Sequence, residues 1–172
     1  MISRLSKSAL VLSAALYATL VALGNITDYD TNFAFVRHVL LMDTTFPGNG
    51  IMYRAIQAPW LHHAAYLVII ALECLTALLC WHAGLKMLAA ARRDHAAFAR
   101  ARGHAVAGLT CGFLTWQVVF MSIGGEWFGM WMSPTWNGVQ SAFRIFVMFL
   151  LILIYLSMDE RPAQQASTPR EL

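Results

Sequence analysis

A chain of 172 residues that is 59% apolar and only 12% charged departs from soluble domains, where about a quarter of residues are charged. The formal charge of +3 is small and the lysines and arginines flank apolar runs, so a nucleic-acid partner is not expected. Cys74, Cys80 and Cys111 lie inside such runs, an odd set that reads as small core residues rather than a disulfide framework or thiolate metal site.

A membrane-spanning helix needs about 20 mostly apolar residues. The first candidate follows Arg4 and Lys7 and is free of charge from 8 to 24. Its basic start and its end at Ala22-Leu23-Gly24 also fit a cleavable signal peptide, although the run is long for a signal core. Cleavage would leave three spans and the same topology for the rest. The next stretch, 25–60, is expected outside and carries an apolar run from Phe33 to Met42. It predicts a short interfacial helix capped by Asp30 or Thr31.

The second span covers about 61–86 and holds one charge, Glu73. The third, about 103–124, holds none. The second outer loop, Glu126-Trp127-Phe128-Gly129-Met130-Trp131-Met132, is again too apolar to hang in water. For both outer loops two readings stand: packing on their own helices, or a docking surface. The fourth span, about 140–157, holds only Arg144. Residues 159–172 read as a disordered cytoplasmic tail. The expected fold is all-α: a polytopic four-transmembrane-helix bundle over 1–158, with the interfacial helix in its first outer loop.

Orientation follows from lysine and arginine placement. With the N-terminus inside, Arg4, Lys7, Lys86, Arg92, Arg93, Arg100, Arg102, Arg161 and Arg170 are cytoplasmic, and only Arg37, Arg54 and Arg144 are external, nine against three. Both termini are therefore expected in the cytoplasm. Trp60, Trp127, Trp131 and Trp136 then form an outer aromatic belt, with Trp81 near the inner interface.

Helical spacing sorts the polar residues into stripes. His62, Tyr66, Glu73, Thr76 and Cys80 share a face of the second span. Ser6, Ser13, Tyr17 and Gly24 line up on the first, Thr110, Gln117 and Gly124 on the third, and Gln140, Arg144 and Tyr155 on the fourth. Lipid offers no hydrogen bonds, so the stripes are expected to meet in the bundle centre. Ala105, Gly108 and Gly112 form a small-residue stripe that lets helix backbones approach.

Glu73 lies about 12 residues from the outer end, roughly 18 Å deep, where an ionised carboxylate costs at least ~2.5 kcal/mol. It reads as a proton or ion site, as a polar partner for another subunit, or as a protonated acid bonded to Gln117 or Tyr17. Arg144 lies within about 7 Å of the outer surface and is expected to clamp the outer loops through Glu126 first and Asp43 second. No Cys-x-x-Cys, phosphate loop or His-Glu-x-x-His motif occurs, and no metal or cofactor is expected. Haem is the alternative, since His82 and His104, or His38, His62 and His63, lie at comparable depths.

The blocks Asn25-Ile26-Thr27-Asp28-Tyr29, Asn32 to Leu40, Met42-Asp43-Thr44-Thr45, Gly124-Gly125-Glu126-Trp127-Phe128, Met130-Trp131, Trp136-Asn137-Gly138 and Phe143-Arg144 resemble a bacterial family of predicted small integral membrane proteins, a domain of unknown function. The resemblance covers about 5–160 and implies four spans in a bacterial inner membrane, with no known activity to carry over. It gathers His38, Asp43, Glu126, Asn137 and Arg144 at the outer mouth.

Three functions compete. The first is an accessory or anchor subunit that docks a larger membrane or periplasmic assembly through its outer loops. The second is a small proton-coupled transporter or channel using Glu73, which lacks an inverted repeat and would need to oligomerise. The third is a haem-binding or enzymatic membrane protein, for which no catalytic motif speaks. The expected partners are lipid and either another membrane or periplasmic protein or a second copy.

Overall fold

A computed structural model describes residues 1–93 and 95–158; the expected tail over 159–172 lies outside the described residues. Among those described there are helices and no strands. Apolar runs with no water to satisfy their backbone must bond internally, and the helix is the way one segment does this alone. The four long helices are α1 (Ile2–Thr27), α3 (Pro59–Ala90), α4 (His95–Leu114) with its continuation Thr115–Trp127, and α5 (Val139–Ser157). Each is long and apolar enough to cross a membrane. The molecule is thus an integral, multi-pass four-helix membrane bundle. α1 packs along α3, α3 along α4 and α4 along α5.

α2 (Tyr29–Leu41) is the helix expected after the first span. It starts directly after α1, with Asp28 at the junction and no side-chain cap bond. Asp30 falls in its first turn, so neither Asp30 nor Thr31 caps it. Met42, at left-handed φ 55°, ends it. α2 folds over one end of the bundle, called here the cap end; the opposite end is the base.

Two apolar cores result. The larger joins Val11, Ala14 and Ala15 of α1 to Met87, Leu109 and Phe149. The smaller, at the cap end, joins Val36, Val39 and Leu40 of α2 to Tyr66, Ile69 and Ile70 of α3 and to Phe128 and Met130. The cap loops therefore pack on their own helices. The small-residue stripe of α4 works as expected: a Cβ on Gly108 would come within 2.9 Å of Cys80 Sγ and 3.0 Å of Leu79 Cβ, and one on Gly112 would collide with the Phe149 ring.

The polar stripes fare unevenly. His62, Tyr66, Glu73, Thr76 and Cys80 are all buried. On α1 the buried face is instead Lys7, Ser8, Val11, Ala14, Ala15, Ala18 and Ala22, with Ser13 exposed. On α5, Gln140 and Arg144 are exposed and the buried face is Ala142, Phe149, Ile152 and Leu156. Alanine allows closer helix approach than serine or tyrosine, and close packing decided which face turned inward.

Thr115–Trp127 is wound more widely than an α-helix, as a π-helix. Its last turn closes with Phe128 N–H on Ile123 O at 3.0 Å. Widened turns of this kind concentrate at functional sites. Here the segment carries Trp116 and Phe120 to the wall of a cavity.

Candidate functional site

Glu73 is 1% exposed, yet it borders a cavity of about 190 Å³ lined also by Asn25, Asn32, Tyr66, Trp116 and Phe120. Its partner is neither Gln117 nor Tyr17. Asn25, in the last turns of α1, donates Nδ2–H to Glu73 Oε2 at 2.7 Å. Tyr66 donates its hydroxyl to Asn25 O at 3.0 Å, and Asn32 donates to Gly24 O at 3.4 Å. Glu73 thus lies near the middle of α3, level with the end of α1, and its cavity reaches up to α2. α3 overshoots α1 by several turns, and α2 covers the overshoot through Tyr29 and Phe33, which pack on Tyr66 and His63. Gln117 is half-buried and its amide donates to Ser122 Oγ at 3.4 Å. Tyr17 is half-buried against Trp116.

A larger apolar cleft of about 320 Å³ adjoins this cavity and shares Phe35, Val36, Ile69 and Phe120 with it. No charged residue lines it. Its rim includes the exposed Val68 and Ile123.

The expected mouth cluster is only partly brought together. His38 Nδ1 lies 2.8 Å from Asp43 Oδ2, and the His38 ring stacks on Trp136 at 4.7 Å. Asp43 is therefore taken by His38 and not by Arg144. Asn137 donates Nδ2–H to Trp131 O at 3.3 Å, and its Oδ1 accepts Val139 N–H at the start of α5. Arg144 is exposed and donates to Ser141 Oγ at 3.3 Å; no carboxylate among the described residues pairs with it, and Glu126 is exposed. The reason is rotational: turning Ala142 and Phe149 into the core leaves Arg144 on an open groove beside Tyr17, Ile145 and Met148, out of reach of the loop carboxylates.

Arg54 is the clamp that sequence reasoning missed. It donates to Trp127 O at 3.1 Å and lies over the Trp127 ring at 4.5 Å. A hydrogen bond between the Thr44 and Ser133 hydroxyls, 2.7 Å apart, ties the same two loops. Phe46, Tyr53, Trp127 and Trp131 stay exposed around this fastening, as does Trp60 at the start of α3.

The base holds a second clamp. Lys7 is 2% exposed and donates to Met158 O at 2.5 Å and Leu156 O at 3.5 Å. Arg102 reaches Leu156 O as well. A cation on the unpaired carbonyls of a helix C-terminus is the favourable sense. In the sequence Lys7 carries only a topology signal, because nothing in its local sequence says that α5 ends beside it.

Of the remaining candidate histidines, His82 and His104 come together and the others take separate partners. His62 is buried with Nε2 2.8 Å from Ile56 O, His63 meets the Tyr29 hydroxyl at 2.9 Å, and His82 and His104 rings lie 6.1 Å apart edge to face. Among the described residues no group of three or more His, Cys, Asp or Glu side chains is placed to hold a metal ion.

One family model matches, that of a predicted small integral membrane protein (DUF2165), over residues 3–159. No curated protein and no solved structure matches.

Proposed function

Since the chain belongs to this family of predicted small integral membrane proteins, we propose that it is an accessory or anchor subunit, docking a larger membrane or periplasmic assembly through its cap. The observation that carries this reading is the exposed aromatic group Phe46, Tyr53, Trp127 and Trp131, held on two loops that Arg54 and the Thr44–Ser133 bond fasten together. Tyrosine, tryptophan and arginine dominate interface hot spots, and a rigid surface loses less entropy on binding. The nine-to-three basic bias supports a bacterial inner-membrane location with both termini cytoplasmic and the cap outside.

Purification from native membranes in mild detergent tests the docking role. We expect a stoichiometric partner with the unaltered chain, and its loss in the triple variant Phe46→Ala, Tyr53→Ala, Trp131→Ala with resistance to unfolding unchanged. A chain that runs alone, or a triple variant that keeps its partner, would overturn the reading. A reporter fused after residue 172 tests topology: fluorescence in the cytoplasm supports it, periplasmic phosphatase activity sinks it.

A further inference from the structure

The cavity beside Glu73 has a use that docking does not need. Glu73 is a carboxyl group withdrawn from water whose only hydrogen bond among the described residues comes from a neutral amide. No lysine, arginine or histidine among the described residues forms an ion pair with it, and its Oε1 has no donor there. Buried carboxylates are ordinarily paired with a cation, since the desolvation cost is otherwise uncompensated. The cavity wall supplies four aromatic side chains, Phe35, Tyr66, Trp116 and Phe120, the residue types whose ring faces attract organic cations. The apolar cleft continues from the same wall through Phe35, Val36, Ile69 and Phe120.

We propose that this compartment binds an organic ammonium ion with an apolar body, the cationic head against Glu73 and the aromatic wall, and the body in the cleft between α2, α3 and the widened part of α4. Three features converge on it. The carboxyl group lacks a counter-charge. Aromatic rings surround the space beside it. The π-wound segment, whose Trp116 and Phe120 form part of that wall, spends regular α-helical geometry where the cavity lies. Asn25 is the positioning residue: its amide holds one carboxyl oxygen and leaves the other free. A neutral ligand of the same shape gains the cleft but not the charge pair.

The test uses the full chain in detergent micelles, with octyltrimethylammonium and octanol as probes in titration calorimetry. Octyltrimethylammonium should bind saturably, one per chain, and at least about tenfold tighter than octanol, with Glu73→Gln weakening it by at least about tenfold. Equal affinity for the two probes, no saturable binding, or an unchanged affinity in Glu73→Gln would each overturn the proposal. A second measurement needs no variant. Dicyclohexylcarbodiimide, an apolar reagent for buried carboxyl groups, should label Glu73 in the unaltered chain, read by mass spectrometry. Octyltrimethylammonium should slow that labelling several-fold and octanol should not; equal protection by both, or by neither, would count against the site.

Discussion

The two ends of the bundle bury side chains of opposite charge and treat them differently. At the base, Lys7 spends its ammonium on the carbonyls of Leu156 and Met158, its ring neighbour Tyr155 lies 5.7 Å away, and the site is finished. At the cap, Glu73 receives one bond from Asn25 and faces a cavity. A buried group that is fully partnered holds a fold together; one left half-partnered beside a space is available to something else.

Removing the base clamp should show the largest effect. Lys7→Ala strips the Met158 carbonyl of its donor, leaves Leu156 O to Arg102 alone and opens a hole in the core, and should cost about 2–4 kcal/mol of stability in SDS unfolding titrations. Ammonium binding at the cap should be untouched once the protein is folded. If Lys7→Ala unfolds like the unaltered chain, the contrast between the ends fails.

Asn25→Leu comes next. It removes the donor to Glu73 and should cost about 1–3 kcal/mol, while also weakening octyltrimethylammonium binding through loss of carboxyl positioning. A stability loss with unchanged binding would make Asn25 a purely structural contact.

Two of the arginines at the cap end sharpen the comparison further. Arg54→Ala removes a hydrogen bond and a cation–π contact and should cost about 1 kcal/mol, freeing the loop around Trp127 to proteolysis. Arg144→Ala should change stability by less than about 0.5 kcal/mol, as surface substitutions do. The reverse order would restore the clamp to Arg144. Glu73→Gln should also be mild, within about 1 kcal/mol, because the amide oxygen still accepts from Asn25. Its effect belongs in binding, and a large stability loss instead would class Glu73 with Lys7.

The number of spans, the all-helical class and the membrane were written in the sequence, because hydrocarbon imposes length and polarity limits on each segment separately. The buried stripe of α3 and the close-packing role of Gly108 and Gly112 were legible for the same reason: helical period alone puts those residues on one face. Periodicity was half right on α1 and α5: Tyr155 donates to Ser6 between the two helices, but Ser13, Gln140 and Arg144 stayed exposed and alanines or Phe149 took the core. The partners of the charged residues were not legible. That Asn25 meets Glu73, Lys7 meets the end of α5, Arg54 meets Trp127 and Asp43 meets His38 depends on how far each helix overshoots its neighbour and on its rotation about its own axis. Those two quantities belong to pairs of helices, and only the assembled bundle sets them.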